Sequence, residues 1–304
     1  MPAVSVLLPV FNAMPYLKGA VASILNQTFS DLELIALDDA STDGSLEYLR
    51  SIADARMVVV ARPKSGLSRN LNFGIGIARA PILARMDADD VSLPQRIEKQ
   101  LAFLNAHPNV VACGSHIQFL DPAGSLGEVQ RYYTGDAGIR WNLLIDSAIA
   151  HPAAMYRKSA IEKAGLYHPE LEPAEDYALW LELARYGQLA NVPELLFQYR
   201  IHPGSVSSRR VEVQRDRVRE ISLRHLLASG YAETEAEAEA FRRIARGESP
   251  SDPANIDSYI RVARKFLAEQ PTARGIARRK LLGFAKRSRG WNRIRALRRA
   301  ILFS

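Results

Sequence analysis

A single cysteine, Cys113, stands in a chain of 304 residues, so no disulfide can form within it and a reducing, cytoplasmic setting is expected. Its place in the apolar run Val110–Gly114 reads as core rather than as a nucleophile. Long apolar runs are also missing: none approaches the roughly 18 residues that a membrane-spanning helix needs. The first ten residues have no basic run ahead of their apolar segment, so they do not read as a secretory signal. Acid is absent from the last stretch. Pro271–Ser304 carries eleven Lys/Arg and no Asp or Glu in a chain of net +7, which leaves everything before it at −4. Any acidic partner is therefore to be sought at the tail. A hydrophobic fraction of 47% is ordinary for a globular protein, and the length suits one large domain or a main domain with a smaller one.

What is present is an alternation of strands and helices. Val4–Val10 reads as a strand, and Leu17, Ala20, Val21, Ile24 and Leu25 mark one face of a helix. Glu33–Leu37, Met57–Val60 and Ile82–Met86 read as further strands. Helices carrying Leu46, Leu49 and Ile52, and then Leu67, Leu71, Ile75 and Ala78, separate them. Ser92-Leu93-Pro94 is expected to open a helix with Ile97, Leu101 and Leu104. Such alternation implies an α/β fold with a mostly parallel sheet covered by helices, in which ligands bind beyond the carboxyl ends of the strands. Asn12, Asp38/Asp39 and Asp87/Asp89/Asp90 all sit at such ends. Later the pattern loosens: a helix around 137–145, a run 151–156, a helix from about 174 to 186 and a last strand over 195–201. A polar junction near residue 206 is expected to separate residues 1–205 from a charged, α-helical region over 206–304.

Several clusters can carry chemistry. In an extended segment alternate side chains share a face, so Asp87 and Asp89 would point the same way. Two carboxylates that close repel unless a cation neutralises them, and hard oxygen ligands suit Mg2+ or Mn2+. A diphosphate would complete the ligands of such a cation. The competing reading is a solvated acidic turn. An acid after the second strand also marks dinucleotide folds, but the turn Phe11-Asn12-Ala13-Met14-Pro15 lacks their glycine pattern. Gly74-Ile75-Gly76 has no following Lys-Ser/Thr and reads as close helix packing, not as a phosphate loop. Glu175-Asp176 opens a helix, where the dipole favours acids; a general base for a hydroxyl fits there equally. Arg200 and His202 alternate after a strand and so share a side, where Arg can grip phosphate and His can ligate a metal. His151 precedes a strand and is placed either in the structure or along an acceptor cleft.

In order, VSVLLPVFN, LDDASTDGS, GLSRNLNFGIGIARAPILARMDADD, HPAAMYRKSAIEKAG, EDYALW and YRIHPGS resemble family 2 glycosyltransferases of the GT-A fold, over residues 4 to about 206. The resemblance implies a Rossmann-like sheet and an inverting transfer from a nucleotide-diphosphate donor, usually a UDP-sugar, to a glycan or lipid-linked acceptor in cell-surface polysaccharide synthesis. Residues 1–115 would hold the donor and 116–205 the acceptor. Pro9, Phe11, Asn12 and Asp39 would hold the base and Arg69 the nucleotide or its phosphates. Asp87 would serve metal or ribose, Asp89 the metal, with Asp90 behind them. Asp176 would be the base, Glu175 would orient a sugar, and His202 would lie beside metal and diphosphate, with Arg200 also on the nucleotide-sugar side.

Trp291, Ile294, Leu297 and Ile301 form a helical stripe flanked by Arg293, Arg295, Arg298 and Arg299, which suits an anionic membrane surface and a peripheral location on its cytoplasmic face. A helix packed on the catalytic domain is the alternative. Two rival functions differ in class. Nucleic-acid binding through the tail is disfavoured because the main domain is net acidic and lacks recognisable motifs. A nucleotidyltransferase would show a Gly-rich basic loop after the first strand, where FNAMPYLK stands.

Overall fold

The computed structural model describes residues 1–205, 210–248, 254–287 and 296. They form two compact units, one of Met1–Asp136 with Ala148–Gln214, the other of Ala137–Ser147 with the described residues from Arg215 on.

The first unit is built on a nine-stranded sheet. Its elements are β1 (Val4–Val10), α1 (Leu17–Leu25), β2 (Leu32–Asp38), α2 (Ser45–Ser51), β3 (Met57–Ala61), α3 (Leu67–Ile77), β4 (Ile82–Arg85), β5 (Val91–Ser92) and α4 (Arg96–Ala106). After them come β6 (Val110–Leu120), β7 (Leu126–Gln130), β8 (Met155–Arg157), α6 (Lys158–Lys163), α7 (Glu175–Leu183) and β9 (Gln188–Arg200). The strand order is β3-β2-β1-β4-β8-β6-β9-β5, with β7 against β6. Strands β3, β2, β1 and β4 are parallel, as are β6 and β9, while β8 runs antiparallel between β4 and β6. The sheet is thus mostly parallel and covered by helices. Strands β1 and β2 are mostly apolar and buried on both faces, as parallel strands under helices must be, with Ser5 and Glu33 buried as a hydrogen-bonded pair.

The order 3-2-1-4 makes the chain reverse direction across the sheet between β1 and β4. The carboxyl ends of those two strands flank the crevice where open α/β sheets take ligands. Helix α3 packs closely on β1 and β2: a Cβ on Gly74 would lie 2.7 Å from Leu37 Cδ1 and 3.2 Å from Leu7 Cδ2, whereas one on Gly76 meets nothing. Cys113 is fully buried, and burial pushes its thiol up to about 12, the behaviour of a core residue.

Three expected elements differ: the last strand, expected over 195–201, is β9 and begins already at Gln188. Ser92 belongs to β5, paired with Phe197 of β9, and the helix starts only at Arg96, after Pro94. The run at 151–156 is split: His151–Ala153 is a 3-10 turn that precedes β8.

In the second unit, α5 (Asp136–Leu143) brings Trp141 edge-on to Phe241 of α9 (Glu235–Arg246) and to Tyr259 and Phe266 of α10 (Ala254–Glu269), at 5.6, 6.2 and 5.5 Å. Helix α8 (Val211–Ala228) precedes them, and the basic helix α11 (Arg274–Arg287) follows. Helix α11 buries Ile276, Ala277, Leu281 and Phe284 and accepts a bond from the Tyr259 hydroxyl at Ala277 O, 2.8 Å. This part of the basic stretch is therefore packed. The stripe of Trp291, Ile294, Leu297 and Ile301 with its arginines lies outside the described residues. Among the described residues no helix is long and apolar enough to cross a membrane.

Candidate active site

Beyond β4 the chain does not continue extended through Asp87-Ala88-Asp89-Asp90. It turns, with Asp90 N donating to Asp87 O at 3.4 Å. The turn brings in Asp90 as well, so carboxylate oxygens of Asp87, Asp89 and Asp90 lie within 4.8 Å of one another. Alternation on a strand accounted only for Asp87 and Asp89.

Each carboxylate has its own anchor. Asp87 Oδ2 accepts from Arg85 NH1 at 2.5 Å, and Arg85 is buried to 2% exposure. Asp90 Oδ1 accepts from Arg200 N at 2.7 Å, and Asp89 Oδ2 lies 2.8 Å from His202 Nε2. Because Gly204 N–H donates to His202 Nδ1 at 3.2 Å, Nε2 is the nitrogen that carries the proton toward Asp89. Burial, partly offset by Arg85 and reinforced by Asp89, pushes the Asp87 carboxyl above its usual range. Burial and the Asp89 and Asp87 charges push Asp90 well above it. Asp90 Oδ2 is buried with no hydrogen-bond partner among the described residues. An orphaned buried oxygen among three crowded carboxylates fits a hard divalent cation, which would relieve both the repulsion and the unmet lone pairs.

Arg200 and His202 do share a side. Arg200 Nε donates to Asp89 O at 2.7 Å and NH1 to Asp121 O at 2.9 Å, so its guanidinium holds main-chain carbonyls. The Tyr16 ring lies against both, 4.7 Å from the guanidinium and 5.0 Å from the imidazole.

On the other side of β1, Pro9 pairs with Leu37 of β2 within the sheet. Asn12, at φ 48, ties two turns together: its N–H donates to Ser41 Oγ at 3.0 Å and its Oδ1 accepts from Thr42 N at 2.8 Å. Asp39 is buried and anchors the loop before α3, accepting from Ser65 N at 2.7 Å, Gly66 N at 3.2 Å and Lys64 Nζ at 2.9 Å. Burial alone would raise its pKa, but Lys64 and the donors of that loop outweigh it and hold the carboxylate below its usual range. The Lys64 ammonium also covers the half-exposed Phe11 ring, 2.8 Å from its centre. Arg69 is exposed and reaches Ser65 O at 3.4 Å.

The third group surrounds the start of α7. Glu175 is 6% exposed, with Oε1 3.7 Å from His151 Nδ1 and Oε2 without a partner among the described residues. Burial and then the Asp176 charge push its carboxyl up to about 8. His151 Nε2 meets the Tyr167 hydroxyl at 2.9 Å, which meets Tyr156 at 3.2 Å. Burial and Arg85 hold His151 well below its usual range, so it is neutral. Arg85 acts electrostatically on Asp87, Asp90, Glu175 and His151, which sets the acidic turn and the start of α7 around one buried cation. Glu172, just before α7, accepts from Ser68 N at 2.8 Å and so caps α3 from 104 residues away.

Sequence reasoning passed over Arg85, Tyr16, Lys64, Glu172 and Tyr167. Arg85 left one signal, a cation inside the apolar strand run two residues before Asp87. The others are joined to the site only by long-range contacts.

Residues 5–165 match the family described as Glycosyl transferase family 2. An uncharacterized glycosyltransferase of Haemophilus influenzae is 33% identical over 225 residues, 68% of each chain. The O-antigen biosynthesis glycosyltransferase WbnJ of Escherichia coli is 31% identical over 66% of this chain and 80% of its own. The amylovoran biosynthesis glycosyltransferase AmsE of Erwinia amylovora is 30% identical over 68% and 79%. Two solved structures share the fold: S. aureus TarS with UDP-GlcNAc, at TM-score 0.62 and 17% identity over 99% of this chain and 90% of that one, and the mannosyltransferase PcManGT of Pyrobaculum calidifontis with GDP-Man and Mn2+, at 0.57 and 19% over 99% and 87%. With the family matched over more than half its length, the chain belongs to glycosyl transferase family 2.

Proposed function

We propose that the chain is an inverting glycosyltransferase that moves a sugar from a nucleotide-diphosphate donor, a UDP-sugar, to a hydroxyl of a glycan or lipid-linked acceptor in cell-surface polysaccharide synthesis. The observation that carries the reading is the gathering of Asp87, Asp89 and Asp90 at the point where the strand order reverses. The relatives named for O-antigen and amylovoran biosynthesis support the polysaccharide setting, and the UDP-GlcNAc and GDP-Man complexes of the structural neighbours support the donor class.

In this reading Phe11 faces the base, Asp39 reaches it once Lys64 yields its place, and Arg69 reaches the phosphates. Pro9 and Asn12 shape the turn beneath them. Asp87 and Asp89 would hold Mn2+ or Mg2+, joined by His202 once its Nε2 gives up the proton now directed at Asp89, and the cation when bound neutralises charge on the diphosphate. Arg200 keeps the acidic turn in place. Asp176 takes the proton from the acceptor hydroxyl as its oxygen bonds to the anomeric carbon and the bond from that carbon to the diphosphate breaks. One displacement of this kind inverts the centre and needs no enzyme nucleophile.

The basic stretch 271–304 suits an anionic surface that presents a lipid-linked acceptor. Because α11 is packed in its unit, truncation after Arg287 rather than before the helix, followed by liposome co-sedimentation, tests that point. The donor reading is tested by a thermal-shift screen of nucleotide-sugars with Mn2+, followed by product analysis. Stabilisation by UDP-sugars and transfer to an acceptor support it, and release of a nucleotide-sugar from sugar phosphate and nucleoside triphosphate would replace it with nucleotidyl transfer.

A further inference from the structure

Turns at the carboxyl ends of β1, β2 and β3 bring Phe11, Asp39 and Lys64 together. The Lys64 ammonium lies 2.9 Å from Asp39 Oδ2 and 2.8 Å from the centre of the Phe11 ring. It therefore makes an ion pair and a cation–π contact at once. Exposure separates the members of this group. The Asp39 side chain is 6% exposed, while Lys64 keeps 53% and Phe11 50%. Solvent reaches the ring and the lysine stem but hardly the carboxylate. That carboxylate does not depend on the ammonium. Oδ1 accepts from Ser65 N at 2.7 Å and Oδ2 from Gly66 N at 3.2 Å, with the Ser65 hydroxyl 3.1 Å from Oδ1. These donors hold Asp39 whether or not Lys64 is in place, so the ammonium can leave without stranding a buried charge. Lys64 in turn gives up a half-exposed ion pair and regains water.

Departure of the ammonium frees a lone pair of Asp39 Oδ2 and the face of the Phe11 ring together. A nucleobase needs contacts of these same kinds, a flat surface to stack on and an acceptor for a ring N–H. An ammonium 2.8 Å from the ring centre fills the space in which a stacked base would lie. We propose that Lys64 is a built-in competitor of the donor's nucleobase: its ammonium occupies the base subsite of the free protein, and binding exchanges it for a base that stacks on Phe11 and donates a ring N–H to Asp39 Oδ2. The inference rests on the donor reading above, in which Phe11 and Asp39 take the base. Asp39 keeps its charge and its bonds to the loop before α3 throughout, and a ring N–H replaces an ammonium N–H. Donor affinity is lowered in proportion to the share of molecules in which Lys64 is in place.

Uridine, which has the base and no phosphate, tests the exchange in the full chain. K64M keeps an unbranched stem and removes the charge, and in titrations it is expected to bind uridine on the order of 10-fold more tightly than the wild type. Weaker binding by K64M would mean that the ammonium holds the base instead of competing with it, and equal binding that it does neither. Either result overturns the proposal. A spectroscopic arm follows the side chain itself. With lysine isotope-labelled at Cε, the NMR signal missing from K64M is that of Lys64. In the free protein the Phe11 ring current is expected to shift it upfield, and saturating uridine to return it to the position of a solvated lysine. An unshifted signal in the free protein, or one that stays upfield with uridine bound, contradicts the proposal. Should UDP bind both proteins while the Lys64 signal does not move, the donor reading stands and the exchange alone is refuted. Should uridine and UDP bind neither protein, the donor reading fails and takes the exchange with it.

Discussion

His202 donates through Nε2 to Asp89 Oδ2 across 2.8 Å, and two residues earlier Arg200 donates through Nε to the Asp89 carbonyl across 2.7 Å. Side chain and main chain of the same aspartate are thus held from the end of β9, more than a hundred residues away in sequence. Asp89→Ala is therefore expected to abolish the Mn2+-dependent part of UDP binding, and His202→Ala to weaken it by on the order of 10- to 100-fold. Calorimetric titration of UDP with and without Mn2+ measures both. Unchanged affinity in Asp89→Ala would remove this residue from the site.

Arg85 is the buried cation that pairs with Asp87 at the start of the acidic turn. Arg85→Met leaves Asp87 without its charge partner and is expected to cost about 3 kcal/mol, the low end for a broken buried pair. The low end applies because the Asp87 side chain keeps 30% exposure and can be rehydrated. Urea denaturation reads the loss.

Helix α3 offers an internal control. Gly74→Ala puts a methyl group 2.7 Å from Leu37 Cδ1 and is expected to destabilise by about 1–3 kcal/mol. Gly76→Ala, on the open face of the same helix, gains about 0.5–1 kcal/mol through helix propensity. Equal effects at the two positions would show that α3 is not seated on β1 and β2 as described.

Glu175 also gives stability a pH dependence of defined sign. Its carboxyl titrates at about 8 in the fold against 4.5 as the reference, so between those values the folded state holds the extra proton. Stability then falls as pH rises through that window and flattens above it. Glu175→Gln is expected to remove this component, and thermal melts from pH 5 to 9 compare the two proteins.

Much of this molecule is legible in its sequence because parallel strands buried on both faces must be apolar and covering helices must carry stripes. Val4–Val10 and the α1 stripe declare themselves in this way. The acidic side chains at strand ends are equally visible, since polar clusters after apolar runs have few places to go. The turn that recruits Asp90 was hidden, because it depends on Asp90 being gripped by the backbone of Arg200, 110 residues downstream. The same holds for Glu172 capping α3 and for Lys64 sitting between Asp39 and Phe11. These are pairings between distant segments, and no local periodicity encodes them. Ser92 went to a strand rather than a helix start for a related reason: its partner, Phe197, lies on β9.

In the proposed transfer Asp176 is the group that takes the acceptor proton. Turnover and donor binding of Asp176→Asn, measured side by side on a UDP-sugar that the wild type transfers, test it most directly. The expected result is UDP-sugar affinity close to wild type with transfer reduced by on the order of a hundredfold to ten-thousandfold. Wild-type turnover in Asp176→Asn would contradict it.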